Sequence, residues 1–141
     1  MMTRRWALLA ATTLTLAGCT STPPHDALAR LKPEPGPTLS LPARELLVPD
    51  AQTFLIACPG VPGDTVAEAA GGSVKVPGDG YDPILNAFIA ITSDGGVVTQ
   101  RYAREEVDLC SSGLENPLEA QDASTPLTFV KEGTRWRLEA D

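Results

Sequence analysis

Apolar residues form one long run near the start of the chain and several short runs after it. Residues 6–17 are uncharged and largely apolar, and they follow the basic pair Arg4 and Arg5. A helix needs roughly 20 apolar residues to cross a bilayer, so this run is too short to span one by itself. A basic start followed by an apolar run of this length predicts a targeting segment that is removed.

Short apolar and alternating runs in the second half of the chain predict a small folded body. Residues 53–58 form an apolar run closed by a Pro-Gly pair, which indicates a buried strand. Residues 64–70 begin with an aspartate and are followed by Gly71, which are helix start and stop signals.

Two further pairs of runs predict hairpins. Residues 86–92 and 97–102 flank an Asp-Gly pair, which supplies the positive φ angles of a tight turn, and residues 126–131 and 134–139 flank a Glu-Gly pair. The sequence therefore predicts an α+β body: a small antiparallel sheet of two hairpins plus one strand, covered on one face by a short helix.

The apolar leader ends at a specific tetrapeptide. Leu16, Ala17, Gly18 and Cys19 supply a branched apolar residue, two small residues and a cysteine. This sequence resembles the lipobox of bacterial lipoproteins. The resemblance implies that diacylglycerol is attached to the Cys19 thiol, that the signal peptide 1–18 is cut off, and that the new amino terminus is often acylated. Two or three acyl chains hold a protein on a membrane essentially permanently.

The membrane to which the resemblance assigns the protein depends on the type of cell envelope. Thr20 stands where an aspartate often signals inner-membrane retention in Gram-negative lipoproteins, so the outer membrane is expected there. In a Gram-positive cell the same signal implies the outer face of the plasma membrane. Residues 3–6 also partly resemble a twin-arginine export signal, but Ala7 stands where that motif prefers an aromatic residue. The general secretory route is therefore favoured.

Residues 19–50 are predicted to be a lipidated cysteine and a proline-rich tether, and residues 51–141 a single small globular domain. Seven of the 13 prolines lie between Thr20 and Asp50, and prolines favour extended chain without backbone donors. His25, the single histidine of the chain, lies in this tether. A catalytic triad or a histidine zinc site is therefore not expected.

The other two cysteines are predicted to form a disulfide. Cys58 ends the first strand and Cys110 follows the first hairpin. With Cys19 bound to lipid, they are an even pair in an oxidising compartment. A redox-active pair is the alternative, but the two residues lack Cys-x-x-Cys spacing. If Cys19 is instead an incidental cysteine behind an ordinary secretory leader, one odd thiol remains.

The charge balance argues against nucleic acid as a partner. Arg4 and Arg5 belong to the leader and all 18 acidic residues follow Cys19, so the net charge of −7 becomes −9 once the leader is removed. Such a surface repels phosphate backbones and anionic lipid heads.

Two acidic stretches are candidates for chemistry, each with a simpler interpretation. Asp79 and Asp82 flank a Gly-Tyr pair and could hold calcium, but these residue types also make ordinary turns. Glu105, Glu106 and Asp108 could supply paired carboxylates for a hydrolase, but a solvated loop beside the disulfide is the simpler explanation. The sequence carries no phosphate-binding glycine loop or nucleophile elbow. We expect no enzyme activity, no metal and no cofactor.

Two further stretches of the chain resemble known proteins. Residues 57–60 with 107–110 are similar to short lipoproteins of high-GC bacteria, which implies no particular activity. Residues 128–139 resemble the closing hairpin of cystatin-like or NTF2-like domains, which hold apolar ligands in a cone of curved sheet. The sequence thus predicts a lipid-anchored, noncatalytic envelope protein that binds another envelope component or has a structural role. The alternative is a carrier of a small apolar ligand between sheet and helix, with Phe54, Phe88 and Trp136 as its lining or, more simply, as core.

Overall fold

The computed structural model describes residues 38–140, in which two four-stranded sheets and one helix form three layers. Sheet A has the strand order β1 (Thr38–Pro42), β7 (Pro126–Glu132), β8 (Arg135–Leu138) and β5 (Val107–Asp108). Sheet B has the order β4 (Val97–Ala103), β3 (Leu85–Thr92), β2 (Ala51–Ala57) and β6 (Gln121–Asp122). The helix α1 is Gly63–Ala70, and a 3₁₀ turn covers Ala43–Glu45.

Sheet B is the central layer because its two middle strands are apolar on both faces. Phe54 and Ile56 of β2 face sheet A, whereas Leu55 between them faces the helix. The core between the sheets includes Leu41, Leu46, Phe54, Ile56, Phe88, Leu127, Phe129, Trp136 and Leu138. The smaller core between sheet B and the helix is formed by Leu55, Ala57, Val66, Ala70, Tyr81, Ala87 and Ile89. Uninterrupted apolar strands require cover on both sides, and these two cores supply it.

The structure confirms an α+β fold with one helix and corrects the prediction of one antiparallel sheet made of two hairpins and a strand. Strands β3 and β4 pair antiparallel, as do β7 and β8, but the two pairs belong to different sheets. Strand β5 pairs parallel with β8, so sheet A is mixed. The sequence-based prediction left sheet A without its outer strands because β5 has two residues and β1 lies in the proline-rich region.

The helix begins one residue before the predicted aspartate. Asp64 lies in its first turn rather than at its cap, and its carboxylate accepts a hydrogen bond from the Thr65 N–H at 2.8 Å. Gly71 ends the helix at φ 72°, and its N–H bonds to the carbonyls of Ala67 and Glu68. The predicted glycine stop is therefore confirmed, since only this left-handed conformation lets the chain turn away so tightly.

The folded part of the chain begins earlier than residue 51. Strand β1 pairs along β7 from Thr38 opposite Val130 to Pro42 opposite Pro126. The following turn buries Ala43 and Leu46 in the core between the sheets. Residues 38–50, predicted to belong to the tether, are thus part of the domain. Proline is tolerated at Pro42 because it is the last residue of an edge strand, where no further ladder bond is needed.

Candidate functional site

The predicted anchor lies outside the described residues. Leu16, Ala17, Gly18, Cys19 and the tether residue His25 all precede residue 38, where the structure begins. Within residues 38–140, no helix is long and apolar enough to cross a membrane.

The Cys58–Cys110 disulfide is confirmed and joins the two sheets. Cys58 follows β2 of sheet B, Cys110 follows β5 of sheet A, and their Cα atoms are 5.8 Å apart. Both residues are half-buried and pack against the core between the sheets. The bridge therefore ties β5, the shortest strand of sheet A, to sheet B. Strand β5 has only two residues, so its ladder hydrogen bonds alone hold it weakly.

A buried carboxylate organises the loop that carries Cys110. Asp108 is fully buried, and its two oxygens accept hydrogen bonds from the Arg104 guanidinium at 3.2 and 3.3 Å. The guanidinium of Arg135 approaches to 3.4 Å, the backbone N–H groups of Cys110 and Ser111 donate at 3.1 Å each, and the Ser111 hydroxyl donates as well. Every lone-pair direction of this carboxylate therefore has a donor.

This environment fixes the charge of Asp108. Burial by itself raises the pKa of the carboxyl. The hydrogen bonds from Ser111, from the Cys110 N–H and from Arg104 outweigh that effect and lower the pKa to about 2. An acid that stays ionised at neutral pH and is surrounded by donors acts as an electrostatic brace rather than as a general acid or base.

Asn86 holds the same segment from the other sheet, and the sequence analysis did not single it out. Its side chain is fully buried in β3, where it donates to the carbonyl of Val107 at 3.0 Å and accepts from the Leu109 N–H at 2.8 Å. The available signal was one amide at the start of an otherwise apolar strand. Together, the Asn86 and Asp108 side chains hydrogen bond to backbone groups of residues 107 and 109–111. These residues lie in or directly after β5, which is only two residues long.

The predicted acidic clusters separate in the structure. Glu105 and Glu106 are exposed, whereas Asp108 points inward and is paired with arginine, so the three carboxylates do not face one another across a cleft. Asp79 and Asp82 are exposed turn residues. In the part of the chain that the structure describes, no three His, Cys, Asp or Glu side chains come together as a metal site would require.

The proposed lining of an apolar carrier is part of the core. Phe54, Phe88 and Trp136 are at most 6% exposed and lie between the two sheets, not between sheet and helix. The rings of Phe54 and Phe88 stack edge to face with centroids 5.6 Å apart. These three residues are therefore part of the core, which was the simpler of the two interpretations.

A cleft of about 500 Å³ opens beside strand β4. Lys75 and Arg101 line it together with the turn around Tyr81, whose hydroxyl donates to the Lys75 carbonyl at 2.9 Å. Burial raises the pKa of the Tyr81 hydroxyl, and the nearby Arg101 charge lowers it by a smaller amount. Lys75 and Arg101 are both exposed, and neither forms an ion pair with another of residues 38–140. This cleft is the candidate binding site.

Comparisons of the chain with family models, with curated proteins and with solved structures give no match.

Proposed function

We propose that the protein is a lipid-anchored component of a bacterial cell envelope and that its folded domain is a noncatalytic binding or structural module. Cys19 carries the acyl chains, and residues 20–37 connect it to the first strand of the domain. The domain lies on the extracytoplasmic side, at the outer membrane of a Gram-negative cell or on the plasma membrane of a Gram-positive cell. Its partner is another envelope component.

The observation that carries the proposal is the Cys58–Cys110 disulfide. Disulfides persist in oxidising compartments such as the periplasm or the cell surface and are rare in the cytosol. The chain has three cysteines, and pairing two of them leaves Cys19 alone. Its position directly behind an apolar leader, in the sequence Leu-Ala-Gly-Cys, gives that remaining thiol a chemical use.

The hydrogen bonding of the buried polar groups supports a binding or structural role. Asp108 and Asn86 are fully buried, and their side chains hydrogen bond to the segment that leads to the disulfide. Arg104 is likewise held between Asp108 and the carbonyl of Pro83. These groups stabilise a rigid scaffold, which favours a preformed surface for recognition.

The test is membrane attachment of the full chain in a bacterial host that acylates lipoproteins. We expect the wild type to incorporate a clickable fatty acid and to sediment with membranes, and Cys19→Ser to lose both properties. The matched control removes the other two cysteines together, Cys58→Ser with Cys110→Ser, and keeps the label because Cys19 remains. An unlabelled, soluble wild type, or a label that survives Cys19→Ser, contradicts the proposal.

A further inference from the structure

Strand β4 is an unusual edge of this fold. The two short edges, β5 and β6, have two residues each, and β1 ends at Pro42. Strand β4 is seven residues long, contains neither proline nor glycine, and carries one charge, Arg101. Natural sheets usually blunt an edge by shortening it, charging it or ending it with proline. Three edges of this fold are two residues long or end with proline, whereas β4 has neither feature and carries only Arg101 as a charge.

The outer backbone groups of β4 are free to pair. At the two ends of the β3–β4 ladder, Thr92 N–H bonds to the Gly96 carbonyl at 2.8 Å and Arg104 N–H bonds to the Ile84 carbonyl at 2.9 Å. Because antiparallel partners alternate along a ladder, the backbone groups of the odd-numbered residues 97, 99 and 101 face away from β3. No backbone bond from elsewhere in residues 38–140 reaches these three positions.

The edge is also held rigid from both faces. The Gln100 side chain donates to the Leu46 carbonyl and accepts from the Val48 N–H, both at 3.0 Å. On the opposite face, the Thr99 hydroxyl accepts a hydrogen bond from the Lys75 N–H at 3.1 Å. A segment that adds to β4 therefore meets a strand that is already ordered, and little conformational entropy of this strand is lost on binding.

The charges beside β4 define the chemistry of its partner. Lys75 and Arg101 line the same cleft and form no ion pair with another of residues 38–140, whereas Arg104, Arg135 and Arg137 are each paired with a carboxylate. Asp79 and Asp82 also line the cleft, but they do not pair with its two cations. The chain is acidic overall, yet two cations that form no ion pair within residues 38–140 lie at this strand edge. They favour a partner with an acidic side chain at that place.

We propose that β4 binds an extended, acidic segment of a partner protein by strand addition, with Lys75 and Arg101 contacting its carboxylates. Main-chain hydrogen bonds supply the attachment, and the two cations supply the selectivity. A second copy of this chain is a poorer occupant. Antiparallel pairing of two β4 strands about Gln100 places Arg101 and Lys75 of both copies on one face, where four like charges repel. The inference rests on the proposed function as a binding module.

The test uses two fluorescent peptides of the length of β4, one alternating valine with glutamate and one alternating valine with lysine. Binding to the detergent-extracted full chain is measured by anisotropy, and the bound region by hydrogen exchange. We expect the glutamate peptide to bind about fivefold or more tightly than the lysine peptide, the order of one exposed ion pair. Exchange should slow in β4 and not in β1.

Two variants and one control separate the contribution of charge to binding from the contribution of main-chain hydrogen bonds at the edge of β4. Arg101→Glu is expected to remove or reverse the preference between the peptides, and Thr99→Pro to remove binding of both, because proline deletes an outward N–H group. Arg44→Glu is the matched control, since Arg44 is exposed beside Asp122 at the opposite edge of sheet B, and it should bind as the wild type does.

Three outcomes overturn the inference: equal binding of the two peptides to the wild type, protection outside β4, or a dimer joined through β4 in sedimentation. The acylation test is separate from this one. If β4 fails to bind while Cys19 is acylated, only the strand-addition inference is lost. If Cys19 carries no lipid while β4 binds the acidic peptide, the anchor is lost and the binding edge stands.

Discussion

At the scale of single residues, Asp108 is the side chain on which most of the local structure depends. It receives hydrogen bonds from Arg104, Ser111 and Cys110 while it is fully buried. We predict that Asp108→Asn lowers the free energy of unfolding by about 2–4 kcal/mol, because it leaves the Arg104 guanidinium without its anion and removes one of the two carboxylates that Arg135 contacts. Urea denaturation measures the change. Glu105→Gln, an exposed neighbour, is the control and should change stability by less than about 0.5 kcal/mol.

The same carboxylate predicts a pH dependence. The pKa of Asp108 is about 2 in the folded protein, and an aspartate in an unfolded chain has a pKa of about 3.9. The unfolded state therefore binds the proton more tightly, so this stabilisation is fully present above pH 4 and is lost as the pH falls through about 2. The loss amounts to about 2–3 kcal/mol.

The measurement is the difference in unfolding free energy between wild type and Asp108→Asn at a series of pH values. Other carboxylates with lowered pKa values, such as Asp94 and Asp122, titrate in both proteins and cancel in the difference. The difference should shrink between pH 4 and pH 2. A constant difference would show that the charge of Asp108 contributes nothing.

The role of Asp108 was beyond prediction from the sequence for a physical reason. An acidic run of Glu105, Glu106 and Asp108 before a cysteine is compatible with a solvated loop, and two of the three residues are indeed exposed. The third is buried because Arg104 and Arg135 converge on it from different elements. That convergence depends on the tertiary fold, which sequence spacing does not report.

At the scale of elements, the disulfide is a covalent link between the end of β2 in sheet B and the end of β5 in sheet A. Cys58 and Cys110 close a loop with a sequence separation of 52 residues. We predict that replacing both with serine lowers the free energy of unfolding by about 4 kcal/mol, the chain-entropy value for a loop of this length. Comparing the double variant with the wild type in urea tests this. A loss below about 1 kcal/mol would mean that the two sheets are held by their core alone.

The turn that leads into β3 gives a second prediction. Gly80 has φ 86°, and a Cβ built on it would lie 2.7 Å from the Val61 carbonyl oxygen. Gly80→Ala should therefore destabilise the domain by about 2 kcal/mol or more, since both the backbone and the contact resist a side chain. Gly78→Ala, two residues away in the same turn, has open space around its Cβ and should be nearly neutral. Thermal unfolding of both variants decides between these outcomes.

Strand patterns explain which elements could be predicted. The alternating residues of β3 with β4 and of β7 with β8, each pair joined by a Gly-containing turn, indicated the correct strand partners. The arrangement of these pairs in two sheets did not follow, because pairing into sheets is set by long-range contacts. Continuous burial of β2 was the available clue, since residues 54–57 alternate between two cores and need a layer on each side.

At the scale of the whole molecule, residues 38–140 form a three-layer domain, and we propose that Cys19 anchors this domain to a membrane through lipid. The disulfide and the buried side chains of Asn86 and Asp108 hold the segment around Cys110 in place. Strand β4 is an edge strand, and its Arg101 lines one cleft together with Lys75. The sequence predicted the disulfide, which the structure confirms, and the lipid anchor at Cys19, which lies outside the described residues and stays a prediction. It did not predict that β4 is a sheet edge, because an edge is defined only once the other strands have paired.

The central claim is that one molecule carries both an acylated Cys19 and the Cys58–Cys110 disulfide. Intact mass spectrometry of the protein extracted from membranes without reducing agent tests it most directly. We predict the mass of a chain that begins at Cys19 and carries acyl groups, with two hydrogens fewer than the reduced form. A chain that retains residues 1–18, or that carries no lipid, would contradict the account.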